Sequence, residues 1–233
     1  MENIQIAAWN ENSSAFREAG GDMDVWKIFP NLRNKSDLPE AELLRCEAIN
    51  NPLARQHELS SRIGVRRILG RYTGVLPSVL TFEREGRGKP FLAGGPQFNL
   101  SHTKDQILLG VGREPVGLDV ESIDRKVKAE ELASKFFHEE ERAAVLGDRH
   151  GDEHRAFLKY WVCKEATVKL SGDGIYHGLR DARILWKDGR ISGSYRGRAV
   201  YLSIFSPGSG FLAAVASWTP LRALRFFSLG DGD

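Results

Sequence analysis

The sequence contains only two cysteines, Cys46 and Cys163, among its 233 residues. They form no Cys-x-x-Cys pair and have no adjacent histidine, which argues against both a structural zinc site and a disulfide framework. Two unpaired thiols fit the reducing cytoplasm, so we expect a cytoplasmic protein.

Long apolar runs are also missing. The N-terminal stretch MENIQIAAWNENSSAF lacks the basic region and apolar run of a signal peptide. The stretch FLAAVA near the C-terminus is far too short to span a bilayer. The sequence therefore predicts a soluble protein with no membrane partner.

A strong net charge is absent as well, because 33 lysines and arginines nearly balance 31 aspartates and glutamates. A formal charge of +2 gives no reason to expect a nucleic-acid partner. The charge is unevenly spread, however: the segment 55–71 is rich in arginine and contains one acid, Glu58. Such a segment suits an anionic ligand, although a solvated helix face is the commoner explanation.

What the chain does contain is a repeated order of elements. The strand-like string MDVWKI at 23–28 resembles LDVESI at 118–123. Each string is followed by a helix start with early acids, a longer helix and further strands. The predicted helices cover 38–45, 54–72, 137–146 and 154–172, and the predicted strands lie around 80–85, 101–112, 182–190 and 206–217.

This repetition predicts an α+β fold with two similar halves, residues 1–114 and 115–233, related by a pseudo-two-fold axis. Each half would be a small antiparallel sheet packed with helices. A ligand gripped by both halves would bind in the cleft between them. A chain that already supplies two halves is expected to be a monomer.

Acidic residues mark the second half. Because side chains alternate along a strand, Asp119 and Glu121 in GLDVES point to the same side. Glu165 shares a helical stripe with Phe157 and Trp161, which predicts a partly buried carboxylate that needs a partner. The ordinary alternative is a helical salt bridge from Glu165 to Lys169.

Taken together, three carboxylates without paired histidine or cysteine ligands favour Mg²⁺, which prefers oxygen ligands. Lys164 and Lys169 flank Glu165, and such cations suit a phosphate-rich substrate held by the same metal. A Mg²⁺-dependent phosphohydrolase acting on a nucleotide-like substrate would use the same groups. A non-catalytic module that binds an acidic partner through the arginine-rich segment is a second alternative.

Five strings resemble, in order, the signature motifs of the 4'-phosphopantetheinyl transferases: GRGKPFL, FNLSHT, VGLDVE, FFHEEE and WVCKEATVKLSGDGI. The resemblance is to the large pseudo-dimeric type, which activates nonribosomal peptide synthetases and other carrier proteins. It implies transfer of 4'-phosphopantetheine from coenzyme A to a serine of an apo acyl or peptidyl carrier protein. Mg²⁺ would be the cofactor and adenosine 3',5'-bisphosphate the product.

The resemblance also implies site residues. The metal ligands would be Asp119, Glu121 and Glu165. The residues that bind or border coenzyme A would be Arg62, Lys89, Pro90, Ser101, His102, Lys164 and Lys169, with Arg55 and His57 as further candidates for its 3'-phosphate. Lys169 would contact the pyrophosphate, and either Glu141 or Glu165 would accept the serine proton.

Overall fold

The structure is a computed structural model that describes residues 5–10, 22–85, 88–103, 106–147, 152–174, 178–187 and 189–231. Its helices are α1 Glu40–Glu47, α2 Pro52–Thr73, α3 Ala129–Phe136, α4 Glu139–Leu146 and α5 Glu153–Ser171. Its strands are β1 Gln5–Ile6, β2 Met23–Ile28, β3 Glu83–Glu85, β4 Lys89–Phe91, β5 Gln97–Thr103, β6 Gln106–Gly112, β7 Val116–Ser122, β8 Ala182–Lys187, β9 Arg190–Tyr195, β10 Arg198–Ser206, β11 Phe211–Ser217 and β12 Leu224–Leu229. The predicted combination of small sheets and helices is confirmed.

Two main sheets organise the chain. The first sheet has the strand order β12-β2-β6-β5. The second sheet has the order β7-β11-β10-β9-β8, with β1 added alongside β10. A separate hairpin of β3 and β4 lies beyond them. Within the described ranges, no helix is both long enough and apolar enough to cross a bilayer.

The terminal strands cross between the sheets. Strand β12 comes from the end of the chain, yet it pairs in parallel with β2 of the first sheet. Strand β1 comes from the beginning and pairs in parallel with β10 of the second sheet. The division at residues 114 and 115 stays a prediction about the sequence, because each sheet contains a strand from the other half.

Three apolar cores hold these layers together. One packs α2 on the first sheet through residues such as Ile63, Leu69 and Trp26. Another packs α5 on the second sheet, and Val162 and Ala214 belong to it. The third lies between the two sheets, and its members are Ala7, Met23, Val25, Leu108, Val116, Leu118, Val120, Phe205, Ala213, Val215 and Phe226.

Strand β7 shows how this layering positions polar groups. Its residues Val116, Leu118 and Val120 enter the core between the sheets. The alternate residues, among them Asp119 and Glu121, must then lie on the opposite face, toward α5. Since all seven residues of the strand are buried, both carboxylates are held inside the protein.

The helix α5 has defined ends that fix its register against β7. The side chain of Asp152 caps the first turn by accepting a hydrogen bond from the Arg155 backbone N–H. Gly172 ends the helix in the left-handed conformation at φ 80°. Between them the helix buries residues on every side, from Phe157 to Leu170, so it runs through the interior of its half.

Gly117 allows β7 and α5 to approach each other closely. A Cβ atom at this position would lie 1.9 Å from the Ala166 carbonyl oxygen and 2.7 Å from the Leu170 backbone nitrogen. Both are backbone atoms that cannot swing aside, so the contact requires glycine.

We expect Gly117→Ala to destabilise the protein by about 1–3 kcal/mol or more, because β7 must move away from α5. Chemical denaturation of the purified variant measures this loss. Gly110→Ala is the matched control, since a Cβ there would meet its nearest neighbour, Leu118, at 3.6 Å. Equal stability losses in the two variants would contradict the close-packing argument.

Candidate active site

A cleft of about 390 Å³ opens between β5, β7 and α5. Its lining comprises Leu100, Ser101, His102, Thr103, Asp119, Val120, Glu121, Arg125, Glu165 and Lys169. The three carboxylates predicted from the sequence therefore line one cleft, although 46 positions of sequence separate Asp119 from Glu165. All three are buried: Asp119 is 2% exposed, Glu121 4% and Glu165 9%.

Asp119 is bound by groups from two neighbouring elements. Its Oδ1 accepts from the Lys169 Nζ at 2.6 Å and from the Ser101 Oγ at 2.9 Å. The Ser101 Oγ also accepts from the Lys169 Nζ at 2.9 Å and from the Val120 backbone N–H at 3.2 Å. This network ties β5, β7 and α5 together. The ion pair of Lys169 is thus with the strand, not the helical pair with Glu165 that spacing alone would favour.

Arg125 is a cleft residue that the sequence analysis missed. It follows β7 in a turn and forms a close ion pair with Glu121. The Arg125 side chain is 41% exposed, whereas the Glu121 side chain is 5% exposed. The four-residue spacing between the two was visible in the sequence, but that spacing implies contact only in a helix, and here the chain makes a turn.

The crowding of acids in the cleft changes the pKa of Glu165. Burial, followed by the nearby charge of Asp119, raises the pKa of Glu165 to about 8. A carboxyl group with such a pKa holds its proton near neutral pH unless a further positive charge arrives. The cleft is therefore an acidic cluster with too little positive charge to ionise it fully.

The oxygen atoms of the cleft are the kind of ligand that the predicted cation, Mg²⁺, prefers. Oxygen ligands suit Mg²⁺, and the second carboxylate oxygen of Asp119, Oδ2, is buried without a hydrogen-bond partner in the described part of the chain. Among the residues that the structure describes, no three His, Cys, Asp or Glu side chains stand close enough together to hold a metal ion. The residues thus fit a magnesium site in their chemistry, and ligation requires side-chain movement.

A second cavity of about 370 Å³ adjoins the cleft, and Leu100 and His102 line both. Its remaining lining residues are Glu42, Arg45, Glu58, Ser61, Arg62, Val65, Arg66, Phe82, Glu83, Arg84, Pro90 and Phe98. Arginines beside aromatic and aliphatic side chains suit a ligand that has both a planar ring and anionic groups. Two of the residues predicted to border a nucleotide, Arg62 and Pro90, lie here.

Not every arginine of this second cavity is available to a ligand. Arg66 is only 3% exposed and donates to the carboxylate of Glu42 and to the carbonyls of Pro77 and Leu80. Arg62 pairs with Glu58 at 2.6 Å but keeps 34% of its side chain exposed. Arg62 is therefore the better placed of the two to meet an anion.

Lys89 and Arg55 lie elsewhere and make structural contacts. The Lys89 Nζ donates to the carbonyls of Val116 at 3.1 Å and Lys169 at 3.0 Å, which bridges the start of β7 to the end of α5. Arg55 donates to the Ile49 carbonyl at 2.8 Å. Lys89 lines neither cavity, and its contacts connect the two elements that carry Asp119 and Lys169.

Lys164 and Glu141 form a pair inside the second half, and neither lines the two cavities. Both side chains are fully buried, and the Lys164 Nζ donates to both Glu141 oxygens, at 3.0 and 2.8 Å, and to the Ala182 carbonyl. These contacts use all three hydrogens of the ammonium group. Glu141 also accepts from the backbone N–H groups of His138 and Ile184, at 2.7 and 2.6 Å. The structure thus separates this pair from the acids and cations of the cleft.

Two histidines meet where the cavities join. The rings of His57 on α2 and His102 on β5 lie 5.2 Å apart at their centroids. The His57 Nε2 is buried and has no hydrogen-bond partner in the described ranges. Burial, and then the neighbouring His57, lowers the pKa of His102 below its ordinary value of 6.5.

The acids on β7 and the acid–lysine pair on α5 lie in a stretch of the chain that is similar to known proteins. Residues 115–215 match the family model described as the 4'-phosphopantetheinyl transferase superfamily. The match covers 101 of the 233 residues and agrees with the motif resemblance.

Curated relatives carry the same activity in their names. The 4'-phosphopantetheinyl transferase HetI of Nostoc sp. strain PCC 7120 is 35% identical over 144 residues, which are 59% of this chain and 61% of the relative. The 4'-phosphopantetheinyl transferase psf-1 of Bacillus pumilus is 34% identical over 123 residues, which are 52% of each chain. The 4'-phosphopantetheinyl transferase Sfp of Bacillus subtilis strain 168 is 28% identical over 165 residues, 70% of this chain and 73% of Sfp. The chain thus spans about half to three fifths of the first two relatives.

The two histidines yield a prediction about protonation. In the free protein, His102 should titrate below 6.5, and His57→Gln should raise the pKa of His102 because the neighbouring imidazole no longer opposes its charge. Two-dimensional NMR of the ring protons across pH 4.5–8 measures both values. His154→Gln is the control, because that ring instead contacts the Ile123 carbonyl. A His102 pKa that is unchanged in His57→Gln would refute the coupling.

The buried pair yields a prediction about stability. Lys164→Met should cost about 3–5 kcal/mol, because Glu141 is left buried without its countercharge. The double variant Lys164→Met/Glu141→Gln should recover part of the loss, as measured by chemical denaturation. Arg183→Met removes the half-exposed partner of Glu140, the residue before Glu141 on α4, and should cost less than about 1 kcal/mol. Similar losses for Lys164→Met and Arg183→Met would contradict this assignment.

Proposed function

We propose that this protein is a Mg²⁺-dependent 4'-phosphopantetheinyl transferase. It would transfer 4'-phosphopantetheine from coenzyme A to a serine of an apo acyl or peptidyl carrier protein and release adenosine 3',5'-bisphosphate. The observation that carries the proposal is the gathering of Asp119, Glu121, Glu165 and Lys169 in one cleft of a stretch that matches the superfamily.

The two adjoining cavities support a placement for coenzyme A. The nucleotide end would occupy the arginine-lined cavity, where Phe82, Phe98 and Pro90 offer apolar surface and Arg62 offers charge. The pyrophosphate would occupy the acidic cleft and meet Lys169. His102 lines both cavities and would contact the ligand where it passes from one to the other. Ser101 would act by holding Asp119 and Lys169 in position.

The three carboxylates would hold Mg²⁺, with Asp119 Oδ2 offering a buried oxygen without another partner. When bound, the metal would neutralise negative charge on the phosphate oxygens during transfer. Lys169 would add a second positive charge next to the leaving phosphate. Phosphoryl transfer depends mostly on such positioning and charge, so the protein needs little covalent chemistry of its own.

The proton of the acceptor serine requires a base, and the geometry favours Glu165 over Glu141. Within the described ranges, the Glu141 carboxylate accepts its hydrogen bonds from Lys164 and from the backbone N–H groups of His138 and Ile184, inside the second half. Glu165 lines the cleft where the serine would enter. We therefore assign Glu165 as the base and assign Glu141 and Lys164 to the support of α5.

The strand pairing supports an origin by duplication and a pseudo-two-fold relation between the halves. In the first half β2 pairs with β6 and β6 with β5. In the second half β7 pairs with β11 and β11 with β10, again antiparallel. Asp24 would then be the counterpart of Asp119, but Arg225 and Tyr72 bind its carboxylate at 2.5–2.7 Å. Only the second half would retain an acidic site.

The remaining features bear on the compartment, the oligomeric state and the partners of the protein. Both cysteines are buried and free, which fits the reducing cytoplasm. The two halves would supply one complete cleft, so a monomer is the proposed working unit. Its partners would be coenzyme A and a carrier protein, without a nucleic acid or a membrane.

The test is mass spectrometry of apo carrier proteins after incubation with coenzyme A, Mg²⁺ and the enzyme. A gain of one phosphopantetheine group on serine is the expected result. Asp119→Asn should lower the rate at least about 100-fold, because a metal ligand is lost, while Glu140→Gln, an exposed acid outside the cleft, should retain the wild-type rate. Release of phosphate from nucleotides without any carrier modification would favour a phosphohydrolase instead. Wild-type transfer by Asp119→Asn would refute the proposed metal site.

A further inference from the structure

Lys169 lies at the end of a helix, where lysine side chains usually extend into solvent. It lies in the last turn of α5, yet its side chain is only 19% exposed and turns toward the acids of β7. The ammonium binds the Asp119 Oδ1 and the Ser101 Oγ at the same time. It therefore fills part of the acidic cluster with positive charge.

Arg125 balances a second acid, but its situation differs. Its side chain is 41% exposed and lines the cleft from a turn after β7, so it can leave Glu121 and enter water. Lys169 is more enclosed, and the side chain of its partner Asp119 is 4% exposed. Removing the ammonium from Asp119 without a replacement would leave a buried carboxylate without its countercharge.

A metal ion on Asp119 and this ammonium would compete for the single negative charge of one carboxylate, even if the metal took the partnerless Oδ2. Mg²⁺ binds carboxylate oxygens at about 2.0–2.1 Å, and the ammonium already lies 2.6 Å from Asp119 Oδ1. A metal ion on either oxygen of this carboxylate would lie close to the ammonium, and two neighbouring cations repel each other in a buried site. A metal ion that binds Asp119 must therefore displace the Lys169 ammonium or share the carboxylate at a cost.

We propose that Lys169 is an internal counter-ion of the metal-free site, which the arriving metal displaces and thereby makes available to an anionic ligand. The inference rests on the proposed function for the identity of the metal and of the phosphate-bearing ligand. In this scheme the ammonium moves from Asp119 toward the open cleft as the metal binds. The same side chain thus serves the protein in two positions, first as a countercharge and then as a phosphate contact.

The scheme has a consequence for affinity. Displacing a charge-assisted hydrogen bond should weaken metal binding by about ten-fold or more. A variant without the ammonium escapes this cost. Lys169→Met should therefore bind a divalent ion about ten-fold more tightly than the wild type, although it lacks a group that the proposed reaction uses.

The experiment measures Mn²⁺ binding to metal-free full-length protein by electron paramagnetic resonance of the unbound ion. Lys128→Met is the control, since it removes one charge from a side chain that is 85% exposed. The control should change the affinity less than about two-fold, because exposed charges are screened. Lys169→Gln provides a second variant that keeps a polar side chain, and circular dichroism verifies the fold of each.

A second readout follows the lysine itself. The ¹⁵N–¹H signal of the Lys169 ammonium, assigned by its loss in Lys169→Gln, should be present in the metal-free wild type, where hydrogen bonds slow its exchange with water. Mg²⁺ without coenzyme A should shift or broaden this signal. An unchanged signal at saturating Mg²⁺ would overturn the proposal.

The outcomes separate the two hypotheses. Tighter Mn²⁺ binding in both Lys169 variants, but not in the control, supports displacement. Equal or weaker binding in the Lys169 variants overturns displacement and leaves the transferase proposal standing. Absence of Mn²⁺ and Mg²⁺ binding from wild type and variants alike overturns both the displacement and the metal site of the proposed function.

Discussion

The buried carboxylate of Asp119 is the constraint on which the site depends. It sits on a strand whose alternate residues form the core between the sheets, so it cannot turn to solvent without disrupting that core. Its charge must be balanced in place, and Ser101 from β5 and Lys169 from α5 meet it for that reason. The same three elements then define the walls of the cleft. The contacts that neutralise Asp119 therefore also set the positions of the three elements that form the cleft.

Local pattern predicted much of this arrangement. The periodicity of residues 54–72 and 154–172 predicted α2 and α5 to within two residues, because strong apolar patterns and helix caps act locally. The alternation of Asp119 and Glu121 predicted their shared face. Two strand predictions were less accurate. The segment 101–112, predicted as one strand, contains the end of β5 and all of β6, and 182–190 contains all of β8 and the first residue of β9. Short polar strands carry a weak local signal, since their partners decide whether they form.

Contacts between distant segments could not be read from spacing. The sequence placed Lys164 beside Lys169 as a pair of equivalent cations, but the two point to different surroundings, one to Glu141 in the interior and one to Asp119 in the cleft. Five positions on a helix differ by about 140° around its axis, so neighbours in sequence can serve different functions. Asp24 and Asp119 show the converse. They stand at matching places in two similar strings, yet Arg225, from the far end of the chain, binds Asp24 and not Asp119.

The crossing of the terminal strands has a consequence for the order in which the molecule is made. Strand β12 pairs along the whole length of β2, so the first sheet lacks its outer strand until residues 224–229 have been synthesised. The amino-terminal half leaves the ribosome long before β12 has been made. Until then, one side of β2 has no strand to pair with. Native pairing there spans about 200 residues of sequence, as the register of Met23 with Leu224 shows. Contacts of such long range form slowly, which makes completion of this sheet a late event in the folding of the nascent chain.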